Sequence, residues 1–476
     1  MAAGPSDQAA PLPLDLDAEQ RRQLARQAFD LIERLLARRD QAPIFTPTPA
    51  ERIEAMMAAP PERGTDAAAL LGRLQQAAQC GWSRGHGGDL AYIPNGGLYS
   101  GVLAGMLAAG VHAFTGSGVE SPALIALEES VLRWLASVLG MPPATEGLLL
   151  SGASLANQTA IVCARDAGEF EPGRSVAYLS EHTHHSLRKA MRLAGIPAGS
   201  IRTIGATTLG RIDTQALVRQ LEQDLALGRR PWLIVGTAGT TDTGAIDALE
   251  ELAAIAARHG AWFHVDAAYG GLFALTVRGA ARLAGIGAAD SVAVDGHKGL
   301  FLPYGVAAVL VRRPGALAQA HSGDGAYMRD VKRLADLPHY FERGPELSRP
   351  FRGLLVWLPL HLHGVASFRQ ALDRSLDLAQ LAATRLRALP GIEVLHEEPE
   401  LSVVAFWAAH GDPATQRILD AINESGQLRV SSTTLRGRTA IRLAFLHPRT
   451  GEAQIDAVER VVRQALDGAV ATDQKL

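Results

Sequence analysis

Apolar residues recur along the chain in two rhythms. The first is helical. In "LDAEQRRQLARQAFDLIERLLARR", Leu24, Ala28, Ile32, Leu35 and Leu36 share one face at a spacing of three to four residues. That predicts an amphipathic helix over residues 18–40, which needs a partner surface. The second rhythm begins near residue 120, where short apolar runs alternate with helical ones: "EGLLLSG", "SVAYLS", "IRTIG", "PWLIVGTAG", "AWFHVDAAY", "SVAVDG" and "AAVLVRR". These strands are too apolar to keep a wet face, so they predict an α/β fold whose mostly parallel sheet is covered by helices on both sides. Between the two, the Pro-rich stretch 41–63, with "APIFTPTPAE", reads as an extended connection before another helix from about Thr65. Residues 1–17, rich in Ala, Pro and Asp, are predicted to be disordered. A long helical pattern follows residue 349, and the remainder of the chain mixes strands and helices. The expected division is an N-terminal helical segment (1–90), a large α/β domain (91–375) and a smaller C-terminal α+β domain (376–476).

Composition removes several function classes. The 476 residues are 47% apolar, enough for a large core, and 46 basic residues against 49 acidic ones leave no excess field for nucleic acid or an anionic membrane. Cys80 and Cys163 are the only cysteines, too few for a disulfide framework or a four-cysteine zinc site, and a cytoplasmic location is expected. The N-terminus lacks the basic and apolar regions of an export signal, and no charge-free run approaches the roughly 20 residues of a membrane span. Neither export nor membrane insertion is expected.

Four constellations follow predicted strands, where open α/β sheets collect ligands. "SGASLANQTAIVCAR" (151–165) joins a strand to a helix through Gly152, Ala153 and Ser154, a phosphate site by geometry and dipole, though also an ordinary helix cap. "SEHTHHSLRKA" offers His182, His184 and His185, but no carboxylate or cysteine nearby completes a metal set, so no metal site is expected. "HVDAAYGG" ends an apolar strand in Asp266, a carboxylate that needs a cation or a donor unless it merely caps a turn. "VDGHKGLFLPYG" places Lys298 after another strand; read alone, it is equally a surface lysine at a strand end. Together, an anion cradle, a flat side chain, an acid and a lysine on neighbouring strand ends match what pyridoxal phosphate requires.

The order "SGAS", "SEHTHHS", "HVDAAYGG", "DGHKG" resembles the group II pyridoxal-phosphate-dependent amino-acid decarboxylases, the family of aromatic-L-amino-acid, glutamate and cysteine-sulfinate decarboxylases. The stretches 97–135, 347–372 and 439–450 are also similar to family segments. The resemblance implies a fold-type I enzyme that decarboxylates an L-amino acid, aromatic substrates favoured, to an amine and CO2. It implies that Lys298 carries the cofactor as an internal aldimine, Asp266 pairs with the ring nitrogen, and His184 stacks on the ring. Ala153 and Ser154 match the phosphate cradle, and Thr241 and Ala268 match positions lining the cofactor. His297 matches a residue credited with binding the substrate carboxylate, and Tyr327 matches the mobile-loop tyrosine that returns a proton after CO2 has left. The sequence departs from the family at Gly299, where a tryptophan usually follows the lysine, and that changes local packing.

Alternatives on the same scaffold are an aldehyde synthase, which couples decarboxylation to oxidative deamination, or another fold-type I lyase or aminotransferase. Tyr327 and His184 favour the amine product. Residues 321–343, with Gly323 and Gly325 inside and Gly344 at the end, predict a lid that orders with substrate. The apolar faces at 18–40 and 97–115 predict a homodimer, whose small-molecule partner is the amino-acid substrate.

Overall fold

The computed structural model describes residues 14–39, 41–93, 96–323, 325 and 337–473, with side chains through residue 467. It divides into two compact units, Met1–His86 and Gly87–Leu476. Residues 1–13 of the stretch expected to be disordered lie outside the described residues.

In the first unit, helix α1 (Ala18–Arg38) starts at a reciprocal cap. Asp17 Oδ1 accepts the N–H groups of Glu19 and Gln20 at 2.8 and 2.9 Å, and Gln20 Oε1 accepts that of Asp17 at 2.9 Å. Its buried position is Leu31, flanked by half-buried Ala28, Ile32, Leu35 and Leu36, while Leu24 stays 39% exposed. The buried face therefore centres beside the expected stripe. The Pro-rich connection also differs from expectation, because it contains helix α2 (Ala50–Met56). Pro49 precedes its first turn, where a missing N–H removes no intrahelical bond. Strand β1 (Phe45–Thr46) pairs antiparallel with β2 (Gly81–Trp82), and the Phe45 and Trp82 rings meet at 4.8 Å. Helix α3 (Ala67–Ala78), capped by Asp66 on Ala69 N–H at 3.0 Å, packs against α1.

The second unit is built on a seven-stranded sheet in the order β3-β9-β8-β7-β6-β4-β5. Its strands are β3 (Glu146–Leu150), β4 (Ser175–Ser180), β5 (Ile201–Ile204), β6 (Arg230–Thr237), β7 (Trp262–Asp266), β8 (Ser291–Asp295) and β9 (Ala307–Val311). Every residue of β4, β7, β8 and β9 is buried, which explains their unbroken apolar runs. The pairs from β5 through β8 are parallel, and β9 runs antiparallel to both neighbours. Between β8 and β9 only a one-turn helix (Gly296–Gly299) intervenes, too little chain for the crossover a parallel return requires.

Helices precede and separate these strands: α4 (Tyr99–Val111), α5 (Pro122–Val138), α6 (Ala153–Ala167), α7 (His185–Leu193), α8 (Thr214–Ala226) and α9 (Leu249–His259). Helix α6 lies on β3, β8 and β9, and α9 on β6 and β7. Beyond Arg352 the chain forms α10 (Arg352–His363) and α11 (Val365–Arg387), then an antiparallel sheet in the order β10-β11-β13-β12. Its strands are β10 (Ile392–Val394), β11 (Val403–Ala408), β12 (Ser431–Leu435) and β13 (Arg438–Ala444), and β12 and β13 are joined by Arg436 and Gly437, both at positive φ (53° and 73°). Two consecutive left-handed residues are the hairpin turn that matches strand twist. The fold is thus α/β with a smaller C-terminal sheet. Among the described residues no helix is long and apolar enough to cross a membrane.

Candidate active site

The C-terminal ends of β3, β4, β6, β7 and β8 open onto one cavity of about 260 Å³. Its lining includes Ala153, Ser154, His184, Thr241, Asp266, Ala268, His297 and Lys298, so eight of the nine residues to which the resemblance gives a cofactor or catalytic role converge there. Tyr327 and most of the expected lid lie outside the described residues.

Asp266 ends β7, with only 6% of its surface exposed. Its Oδ1 accepts Ala268 N–H at 3.2 Å, and its Oδ2 accepts an N–H from Asn157 Nδ2 at 3.2 Å. Asn157, fully buried one turn into α6, is the hub of a directed chain of hydrogen bonds. Trp262 Nε1–H donates to Ser291 Oγ at 2.8 Å, and Ser291 Oγ lies 2.8 Å from His264 Nδ1. Because the Asp266 carboxylate accepts from the Asn157 amide nitrogen, Asn157 Oδ1 faces His264 Nε2 at 3.0 Å and takes its proton, which leaves Nδ1 of the neutral ring to accept the Ser291 hydroxyl. Burial lowers the His264 pKa to about 4, against the pull of Asp266, which keeps the ring neutral and the chain of donors fixed.

His184 caps α7. Its Nδ1 accepts from Ser186 N–H at 3.3 Å and lies 2.8 Å from Ser186 Oγ, so its ring proton sits on Nε2. Burial lowers its pKa, opposed mainly by Asp266. Ser186 Oγ also takes an N–H from Asn157 at 3.3 Å, which ties the histidine to the network behind Asp266. His182 faces Asp242 at 3.8 Å, and among the described residues no cluster of three or more His, Cys, Asp or Glu is placed to hold a metal ion. Thr241 is fixed from the C-terminal sheet, its carbonyl accepting from buried Arg442.

At the other side, Lys298 and His297 sit in the single turn after β8. Lys298 Nζ lies 3.2 Å and His297 Nε2 3.5 Å from Asp295 Oδ2. His297 Nδ1 donates to Val306 O at 3.3 Å, its ring lies 5.3 Å from that of Tyr304, and burial lowers its pKa. The anion cradle differs from the expected one. Leu155 and Ala156 N–H fold back on Gly152 O at 3.0 and 3.1 Å, and Ala153 N–H donates to Asp295 Oδ1 at 2.8 Å. Ser154 N–H is left without an acceptor among the described residues, at a helix N-terminus that favours anions. The departure at Gly299 also has a local cause. A Cβ there would stand 2.6 Å from Leu272 Cβ, so no tryptophan fits this turn.

Sequence reasoning missed Asn157 and Asp295. The one lies inside an ordinary helical run and the other reads as the last residue of a strand, and their partners lie 109 and 142 residues away.

A buried, oriented carboxylate, an amine and a free helix-terminal N–H around one small cavity fit a flat ring bearing an aldehyde, a basic nitrogen and a phosphate. Those are the groups that a pyridoxal-phosphate site would use, gathered at the strand ends of an α/β fold. The pyridoxal-dependent decarboxylase conserved domain matches residues 49–409. Aromatic-L-amino-acid decarboxylase of Bacillus atrophaeus is 34% identical over 451 residues, 92% of this chain and 93% of that protein. L-2,4-diaminobutyrate decarboxylase of Rhizobium meliloti (strain 1021) is 30% identical over 410 residues, 84% of this chain and 82% of that protein. The solved structure of Oryza sativa TDC with PLP and tryptamine superposes with a TM-score of 0.89 at 23% identity, covering 97% of this chain and all of that one. This chain belongs to the pyridoxal-dependent decarboxylase family. It is a carboxy-lyase that uses pyridoxal 5'-phosphate to decarboxylate an amino acid.

Proposed function

We propose that the substrate is an aromatic L-amino acid and that Lys298 is the covalent anchor of the cofactor. The observation that carries the assignment is the convergence of Lys298 and Asp266 on one cavity, with Asp266 oriented by the chain Trp262, Ser291, His264 and Asn157. When bound, the cofactor supplies an electron sink for the pair released as CO2 leaves. Asp266 holds a proton on the ring nitrogen, and the neutral His264 cannot compete for that proton because its own basicity is suppressed. His184 provides a flat neutral surface for the ring, and Ser154 N–H holds the phosphate at the start of α6. Thr241 and Ala268 line the ring, and His297 meets the substrate carboxylate. The aromatic preference follows the Bacillus atrophaeus relative, which aligns over 92% of this chain at 34% identity.

The test is CO2 release and amine formation with L-tryptophan, L-tyrosine, L-phenylalanine, L-glutamate and L-2,4-diaminobutyrate. One of the three aromatics should give the highest kcat/KM; preference for either of the others would overturn the aromatic assignment. Peroxide and aldehyde in place of amine would move the protein to the aldehyde synthases and reassign Tyr327.

We also propose a homodimer. Helix α4 leaves Met106, Leu107 and Val111 about half exposed (50%, 47% and 51%), beside a groove whose lining includes Ala108, Phe114, Tyr304 and Phe351. Apolar surface of that kind needs a cover. Light scattering at micromolar concentration should give twice the chain mass, and a monomer would refute the dimer. We place the protein in the cytoplasm on its sparse cysteines.

A further inference from the structure

The cavity offers its anion-binding N–H groups little positive charge. Among the described residues Lys298 is the only lysine or arginine in its lining, against two carboxylates, Asp266 and Asp295, and burial lowers the pKa of both lining histidines, His184 and His297. Asp266 is engaged with Asn157 and Ala268. Asp295, only 2% exposed, stands at the cradle itself, accepting the first N–H of α6 at 2.8 Å and pairing with Lys298 at 3.2 Å. Little else offsets its charge. His297 is the only other ionisable group on its own turn, β7 offers Asp266 and His264, and β9 and the turn Gly271–Leu275 carry no ionisable side chain. An anion built into the protein thus occupies the first donor of α6, beside the Ser154 N–H left for a bound phosphate.

We propose that Asp295 is a positioning residue that acts as a counter-charge in the phosphate cradle. It holds Ala153 N–H and the Lys298 ammonium in place before the cofactor arrives, and it weakens the grip on the cofactor's phosphate by like-charge repulsion. The inference rests on the assignment of this cavity to pyridoxal phosphate. Its consequence is a phosphate grip weaker than the same cradle would give without the Asp295 charge.

The test uses two ring probes that lack the aldehyde and so form no bond to Lys298: 4-deoxypyridoxine 5'-phosphate and 4-deoxypyridoxine. Their dissociation constants are measured at pH 8 on cofactor-depleted protein, for the parent and for Asp295→Asn, which keeps an oxygen for Ala153 N–H. The phosphate probe should bind the variant about tenfold tighter, since removing a unit charge a few ångströms from a phosphate at protein-surface dielectric is worth at least that much. The unphosphorylated probe should change less than about twofold. Asp295→Ser, also neutral, should move both probes in the same directions, which guards against a defect peculiar to asparagine. Equal gains for both probes, or no gain for the phosphate probe, would overturn the proposal while leaving the cofactor site standing. If neither probe bound the parent or either variant, with all three folded by circular dichroism, the cavity assignment and the proposal would fall together.

Discussion

Replacing Asn157 by leucine tests whether the buried relay holds Asp266 in its working state. The substitution nearly conserves volume but removes three contacts: the 3.2 Å donor to Asp266 Oδ2, the 3.3 Å donor to Ser186 Oγ and the 3.0 Å acceptor of His264 Nε2–H. A hydrogen bond to an ionised group contributes about 1.5–3 kcal/mol, and Asp266 has little solvent to replace it. Without cofactor the carboxylate can turn toward the open cavity and recover part of that energy. With the ring nitrogen in front of it, it cannot. The loss therefore falls on the bound state, and cofactor affinity should drop by about 10- to 100-fold, each 1.4 kcal/mol being a factor of ten. The orphaned His264 N–H costs a further 1–3 kcal/mol or so of fold stability, which a lower urea midpoint reports separately. The assay is fluorescence titration of cofactor-depleted protein with pyridoxal 5'-phosphate, with Asn157→Gln as a partial restoration of the amide. A change of less than about threefold in folded Asn157→Leu would refute the relay as the source of Asp266's orientation.

Other outcomes follow from single contacts. His264 titrates at about 4 in the folded protein and about 6.5 when unfolded, so the folded state binds fewer protons between those values. Its contribution to stability is present above pH 6.5 and is lost as pH falls toward 4, at most about 3 kcal/mol; His264→Gln should flatten the fall in urea midpoint between pH 7 and 4.5, and an unchanged slope would contradict the assignment. Gly299→Ala should lower the urea midpoint through the 2.6 Å approach to Leu272, costing about 1–3 kcal/mol, and Leu272→Ala in the same chain should recover part of it.

The sheet was legible because its strands are buried on both faces, so that "SVAYLS" and "SVAVD" carry no polar interruption that could be mistaken for a loop. The antiparallel course of β9 was not legible from apolarity, which is the same for either direction; it follows from the short link after Lys298. The helix at Ala50–Met56 was hidden by three prolines, which read as extended chain although the last of them stands just ahead of the helix. At the site, the motif residues were visible because each lies at a strand end beside small residues. Asn157 and Asp295 were not, because their roles exist only across the sheet, where α6 meets β7 and β8.

The central claim is that Lys298 is the amine that carries the cofactor. Borohydride reduction of the protein with bound pyridoxal 5'-phosphate, followed by peptide mass analysis, tests it directly. The account predicts one phosphopyridoxyl adduct, on the peptide containing Lys298, and none on Lys298→Ala, which should also lose the visible absorption of the bound cofactor and all turnover while remaining folded. An adduct on another lysine, or an unchanged adduct in that variant, would contradict the site.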